Sequence, residues 1–248
     1  MAIRDDQFWA SFLGIEPSDW NLPGISIRAH VGLIGYRGLW CFRHRDCVAV
    51  SAPAGWVSHL QSSLSDGEVN RVLEQAFLAD LLGDEIERLI GPAYQGCLEP
   101  GAFRPSSTDN VRALEGEDGA ALLQLRVQCG DENVRNSGVE KAMEHVGYFE
   151  GSTLLAVAGY RPWNETAGDP CILTHPDFHG RGYGTAVASA VVQRALNSGK
   201  LLLYQTLEAN TGAVRIARKL GYEQYARHVA VGLRNSSPRN EARMSSQV

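Results

Sequence analysis

Between Thr174 and Leu196 the chain reads THPDFHGRGYGTAVASAVVQRAL. Gly180, Gly182 and Gly184 alternate there with Arg181 and Tyr183, and His179 precedes them. Glycine lets a backbone turn tightly and lets a ligand approach the amides with no Cβ in the way. A helix that opens on such a turn presents free N–H groups and the positive end of its dipole. That arrangement suits an anion, phosphate above all. Val187, Val191 and Ala195 share one face of the helix that follows, so it can pack on a sheet and hold its open end still.

Rival chemistries fail on spacing. A dinucleotide fingerprint needs G-x-G-x-x-G. Counting from Gly182 and Gly184, the last place is Val187; counting from Gly180 and Gly182, it is Thr185. No Gly-Lys-Ser/Thr follows, as a P-loop requires, and no Gly-x-Ser-x-Gly elbow occurs. His30, His59, His145 and His228 lack metal-binding spacing, so no metal is expected. The five cysteines form no CxxC pair, and buried thiols in a reducing compartment are the expectation. Cys129 and Cys171 sit in no motif for nucleophilic use. On the loop alone, a glycine-rich turn that holds nothing stays open as an alternative.

The surrounding pattern predicts the elements that must position this loop. With 248 residues, 44% hydrophobic and 21% charged, the chain is long enough for one large domain or two small ones. A net charge of -5 argues against a whole-surface attraction to nucleic acid or to an anionic membrane. No window approaches a membrane span, and the N-terminus lacks the basic and apolar regions of a secretory signal. A cytoplasmic protein is therefore expected. Residues 5–13 read as a short amphipathic helix. GISIRAHVGLIG and the stretch 36–53 alternate like strands, with RHRD as a hairpin tip that should leave His44 in solvent. GWVSHLQSSL and DGEVNRVLEQAFLADLL read as helices, and RLIGPAYQGCLE as a strand. Trp20, Trp40 and Trp56 are expected in that half's core.

EPGAFRPSSTDN crowds Pro, Gly, Ser and Asp, which marks a linker. The expected division is an accessory α/β domain over 1–105, a second domain over 106–233 and a disordered tail over 234–248. From Val111 the rhythm is β-α-α-β-β-β-α-β-α-β, with the strand pair HVGYFEG and STLLAVAGYRPW turned at Glu150-Gly151. Gly199 and Gly221 are suited to end the last two helices. The fold class is α/β with a mixed sheet.

The glycine loop resembles the acyl-CoA-binding motif (Q/R)-x-x-G-x-(G/A) of the GNAT superfamily of N-acetyltransferases. His179, Gly182 and Gly184 take its fixed places, with His where Gln or Arg is usual. Downstream, NTGAVRIARKLGY resembles the second signature, N-x-x-A-x-x-(L/I)-x-x-K-x-G-(F/Y), through Asn210, Ala213, Ile216, Lys219, Gly221 and Tyr222. The likeness covers roughly Asn110 to Leu233. It implies that the amides of Arg181 to Thr185 hold the pyrophosphate of coenzyme A. It also implies that the strand Cys171 to His175 splays from its neighbour to pair with the pantetheine arm, and that Asn210 lies beside the coenzyme or braces that strand. His179, Gly180, Arg181, Gly182, Tyr183, Gly184, Thr185 and Asn210 are thus the expected cofactor-binding residues, with acetyl-CoA as co-substrate.

The reaction so implied is acetyl transfer to a primary amine of a small molecule or protein. It needs a base, oxyanion stabilisation and proximity. Asp169, Glu208 and His175 are the candidate bases, while Glu150 reads only as a hairpin-turn residue. The family's general-acid tyrosine is replaced by Ala217, with Tyr204, Tyr222 and Tyr225 nearby in sequence. That departure keeps open a non-catalytic acyl-CoA-binding module, or a different acyl donor. The N-terminal half has no G-x-G before Glu99. It reads as a degenerate or accessory half that covers the acceptor side or pairs with another subunit, as in a homodimer.

Overall fold

The computed structural model describes residues 3–238. The chain forms two compact units. The first comprises the described residues up to Gln95, Leu207–Ala209 and everything described from Tyr225 on; the second comprises Gly96–Thr206 and Asn210–Gln224. This departs from the expected division at 105, because the last strand, read as part of the C-terminal domain, belongs with the N-terminal residues. Of the expected tail, residues 239–248 lie outside the described residues. The start of the tail is bound within the first unit: the Asn235 carbonyl accepts from Trp56 Nε1 at 3.1 Å, and Asn235 Nδ2 donates to Glu85 Oε2 at 2.7 Å.

In the first unit the strand order is β1 (Gly24–Ala29), β3 (Cys47–Ala52), β2 (Gly38–His44), β10 (Glu223–Leu233) and β4 (Ile86–Cys97). Side chains alternate across a strand. Leu39 and Cys41 therefore join the aliphatic core with Val48, Val50, Trp56 and Leu60. Trp40 and Phe42 turn to the other face and meet Trp9 of helix α1 (Ile3–Leu13), with ring centroids 5.8 and 4.7 Å apart.

His44 has the same parity as Trp40 and Phe42, and this overturns its expected place in solvent. It is 1% exposed and stacks on Tyr225 at 3.9 Å. Its Nδ1 lies 2.6 Å from the Tyr225 carbonyl, and its Nε2 lies 3.5 Å from Asp6. Burial holds its pKa below the ordinary histidine value. The helix expected over DGEVNRVLEQAFLADLL is also corrected. Only Asp66–Glu68 and α3 (Gln75–Leu82) are helical, and Val72 and Leu73 between them are buried in the first unit's aliphatic core from a non-helical stretch.

The second unit has the order β9 (Leu201–Leu207), β8 (Ala167–Thr174), β7 (Thr153–Pro162), β6 (Met143–Glu150) and β5 (Val111–Ala113). β7 and β8 alternate between its two faces. Val157 and Leu173 pack against Leu125 and Cys129 of α4 (Gly119–Cys129) and Val134 of α5 (Asp131–Ser137). Ala156, Ala158 and Ile172 pack against Val187 and Val191 of α6 (Tyr183–Asn197). Each such valine contributes roughly 1.5–3 kcal/mol on burial. The small residues Gly184, Ala186 and Ala188 bring α6 close to the sheet.

Candidate active site

The connection from β8 to α6 begins with a single helical turn, Pro176–Phe178, and then opens into Gly180–Gly182. Gly180 and Gly182 have φ of +79° and +93°, the left-handed region that only glycine occupies cheaply. A Cβ placed on either would meet no atom within 4 Å, so this side of the turn faces open space. Gly184 is different. Its Cβ would come within 2.9 Å of Thr174 Oγ1 and 3.3 Å of Ile216, so its lack of a side chain seats α6 on β8 and on helix α7 (Thr211–Lys219).

The helix ladder begins with the Ala186 amide, which donates to the Gly182 carbonyl at 3.0 Å. The first-turn amides of Tyr183, Gly184 and Thr185 point toward the turn, as helix geometry requires. With the positive end of the dipole of a 15-residue helix behind them, they form an anion cradle.

Other side chains brace this cradle. His179 Nε2 donates to the Thr174 carbonyl at 3.1 Å and so ties the turn to the end of β8. Arg181 is exposed, with its guanidinium 4.7 Å above the Phe178 ring. Tyr183 stacks on Tyr148 at 4.2 Å, and its hydroxyl donates to Glu150. Glu150 therefore does more than close a hairpin.

β8 runs parallel to β9 through the pairs Ala167↔Leu201 and Gly168↔Leu202. Its antiparallel register with β7 continues through Ala156↔Thr174. Beyond Gly168 the ladder to β9 ends among the described residues, and one backbone edge of β8 is left open to an extended ligand arm.

Asp169 stands one residue past the last β8–β9 pair and is 1% exposed. Arg161 grips it with two hydrogen bonds of 3.0 and 2.7 Å, and Trp163 Nε1 adds a third at 3.0 Å. Burial pushes the Asp169 carboxyl above the usual carboxylate range, against the pull of Arg161 and Trp163.

His175 is 9% exposed, and its Nδ1 accepts from the Asp177 amide at 3.2 Å. Its Nε2 then carries the proton and is a donor. Glu208 belongs to the first unit, where it holds Arg227 in a bidentate pair at 2.6 and 2.7 Å. Asn210 Oδ1 accepts from the Ala213 amide at 3.1 Å and caps α7, a use that Asn ahead of a helical run signals in sequence. Ala217 is fully buried, and Tyr204 and Tyr222 are buried edge to face at 5.1 Å.

Sequence reading missed Arg161, Trp163 and Tyr148, and took Glu150 for a turn residue only. The register Arg161↔Asp169 pairs the first with its carboxylate, and no local spacing announces it. Among the described residues no cluster of His, Cys, Asp or Glu is placed to hold a metal. No described helix is long and apolar enough to cross a membrane.

Residues 120–222 match the model of the acetyltransferase (GNAT) family, so the C-terminal half of the chain carries a GNAT domain. No curated protein matches the sequence. Similar solved structures include a GNAT-family acetyltransferase from Novosphingobium aromaticivorans, at 18% identity and a TM-score of 0.48, covering 60% of this chain and 67% of that one. Another, from Colwellia psychrerythraea, has 16% identity and a TM-score of 0.49, covering 73% and 70%. A GCN5-related N-acetyltransferase from Kribbella flavida has 20% identity and a TM-score of 0.45, covering 64% of each chain.

Proposed function

We propose that the protein transfers an acetyl group from acetyl-CoA to a primary amine of a small molecule or a protein. The observation that carries this reading is the coincidence, within one unit, of a parting strand pair and an open helix start. β8 leaves β9 at Asp169, and eight residues after the strand ends the α6 cradle opens. The cradle amides of Arg181 to Thr185 would take the diphosphate, and the open edge of β8 would take the pantetheine arm. Both are fixed before the ligand arrives, which lowers the ordering cost of binding.

Of the three candidate bases, the geometry favours Asp169. It sits where the strands part, and burial raises its pKa above the usual carboxylate range. His175 is a donor as arranged, and Glu208, which like Asp169 is paired with an arginine, belongs to the first unit rather than to the one that carries the cradle. Ala217 offers no proton to a leaving thiolate, which favours a second reading as a binder of acyl-CoA without turnover.

Thiol release from acetyl-CoA across a panel of amines separates the two readings. Turnover with at least one amine supports transfer; tight coenzyme A binding with silence across the panel supports the binder. Asp169→Asn should lower kcat by about 10²–10⁴-fold with coenzyme A affinity kept. Because one partner of a buried ion pair is lost, a stability cost of about 3–5 kcal/mol is expected too, so Tm is measured alongside. Full kcat in a folded Asp169→Asn protein removes Asp169 as the base.

A further inference from the structure

The Gly180–Gly182 turn meets nothing on its open side, and two of its residues sit in conformations that an unfolded glycine visits freely. Its position therefore depends on what holds its two ends. At the start, His179 is tied to the Thr174 carbonyl. At the far end stands Tyr183, the first residue of α6, and its side chain reaches the hairpin between β6 and β7. There its ring lies on Tyr148 with centroids 4.2 Å apart and planes at 17°. Tyr148 is itself held by Asn110 Nδ2, which donates to its hydroxyl at 3.1 Å. The Tyr183 hydroxyl donates to Glu150 Oε1 at the hairpin's last paired residue, Glu150↔Thr153.

We propose that Glu150 and Tyr148 are positioning residues for the coenzyme cradle: they clamp Tyr183 and so hold the Gly180–Gly182 turn in its binding shape before the ligand arrives. This rests on the acyl-CoA reading above. A bare carboxylate beside an anion cradle would otherwise be a poor choice, since it repels a diphosphate. The hydrogen bond from Tyr183 gives it a different use. The same bond raises the Tyr183 pKa, so the phenol stays protonated as a donor.

Charge and position predict opposite results. If Glu150 acts by position, Glu150→Ala and Tyr183→Phe each raise the coenzyme A Kd and the acetyl-CoA KM by roughly three- to tenfold, through lost preorganisation, while kcat stays level. Glu150→Gln keeps an acceptor oxygen for Tyr183 and should recover at least half of that loss on a logarithmic scale. If Glu150 acts by charge alone, Glu150→Ala and Glu150→Gln both bind coenzyme A more tightly, and the proposal is overturned.

Hydrogen exchange of the amides from Gly180 to Thr185 gives a readout that needs no ligand. It should quicken in Glu150→Ala and slow again in Glu150→Gln; equal exchange in all three proteins also overturns the clamp. If the unaltered protein binds no coenzyme A, the acyl-CoA reading fails, and the exchange data still decide whether the clamp exists.

Discussion

Each unit has a strand followed in the chain by a helix, and the two junctions differ in how far the helix start is covered. In the first unit, β3 passes through Pro53 into α2 (Ala54–Ser63). A Cβ on Gly55 there would come within 2.9 Å of the Ser236 carbonyl and the Ser237 Cβ, so the chain covers its own helix start. In the second unit, Gly180 and Gly182 open the start of α6 and meet nothing. Both helices carry the same dipole and the same first-turn amides. A helix start binds an anion only where the surrounding chain leaves it uncovered, and glycine both makes and preserves that opening.

The largest effect should come from filling the open junction. Gly182→Val forces a branched side chain into a left-handed backbone and into the cradle. Coenzyme A affinity should fall by about 100-fold, corresponding to roughly 2.7 kcal/mol, as read by titration calorimetry. Unchanged affinity would mean that the ligand does not use this turn.

Filling the covered junction is the counterpart. Gly55→Ala should cost about 1 kcal/mol of stability by crowding Ser236 and Ser237, seen as a lower Tm, and should leave coenzyme A binding within twofold. A loss of affinity as large as that of Gly182→Val would erase the contrast.

The two units should also differ in their response to acid. In the first unit, burial pushes His228 down to about 3, below its unfolded value of about 6.5. Between those limits the unfolded chain holds a proton that the folded one does not. The stability contribution is thus complete above pH 6.5 and falls by up to about 1.4 kcal/mol for each pH unit below it. His44, also depressed by burial, acts in the same direction. Replacing His228 with Leu should flatten the fall in urea midpoint between pH 6.5 and 4.5, and an unaltered slope would place the acid response elsewhere.

Much of the second unit was legible from residue order. Glycine spacing announced the α6 junction, and the interval between Val187, Val191 and Ala195 announced the face of α6 that packs on the sheet. In the first unit, parity along LWCFRH puts His44 with Trp40 and Phe42, and burial of that whole face outweighs the position of His44 beside a hairpin turn. The break between Asp66–Glu68 and α3 was less legible, since no Gly or Pro marks it between Val69 and Glu74.

By itself the sequence determined what a few neighbouring residues settle among themselves: where the backbone can turn left-handed, which helix faces are apolar, and where an anion could meet bare amides. The tertiary structure decided which charges and rings meet. Asp169 finds Arg161 through strand register, Tyr183 reaches Glu150 across 33 positions, and β10 joins the residues of the N-terminal half. Those partners are chosen by packing between segments distant in the chain, and such choices follow from the shared burial of whole faces, which no local spacing encodes.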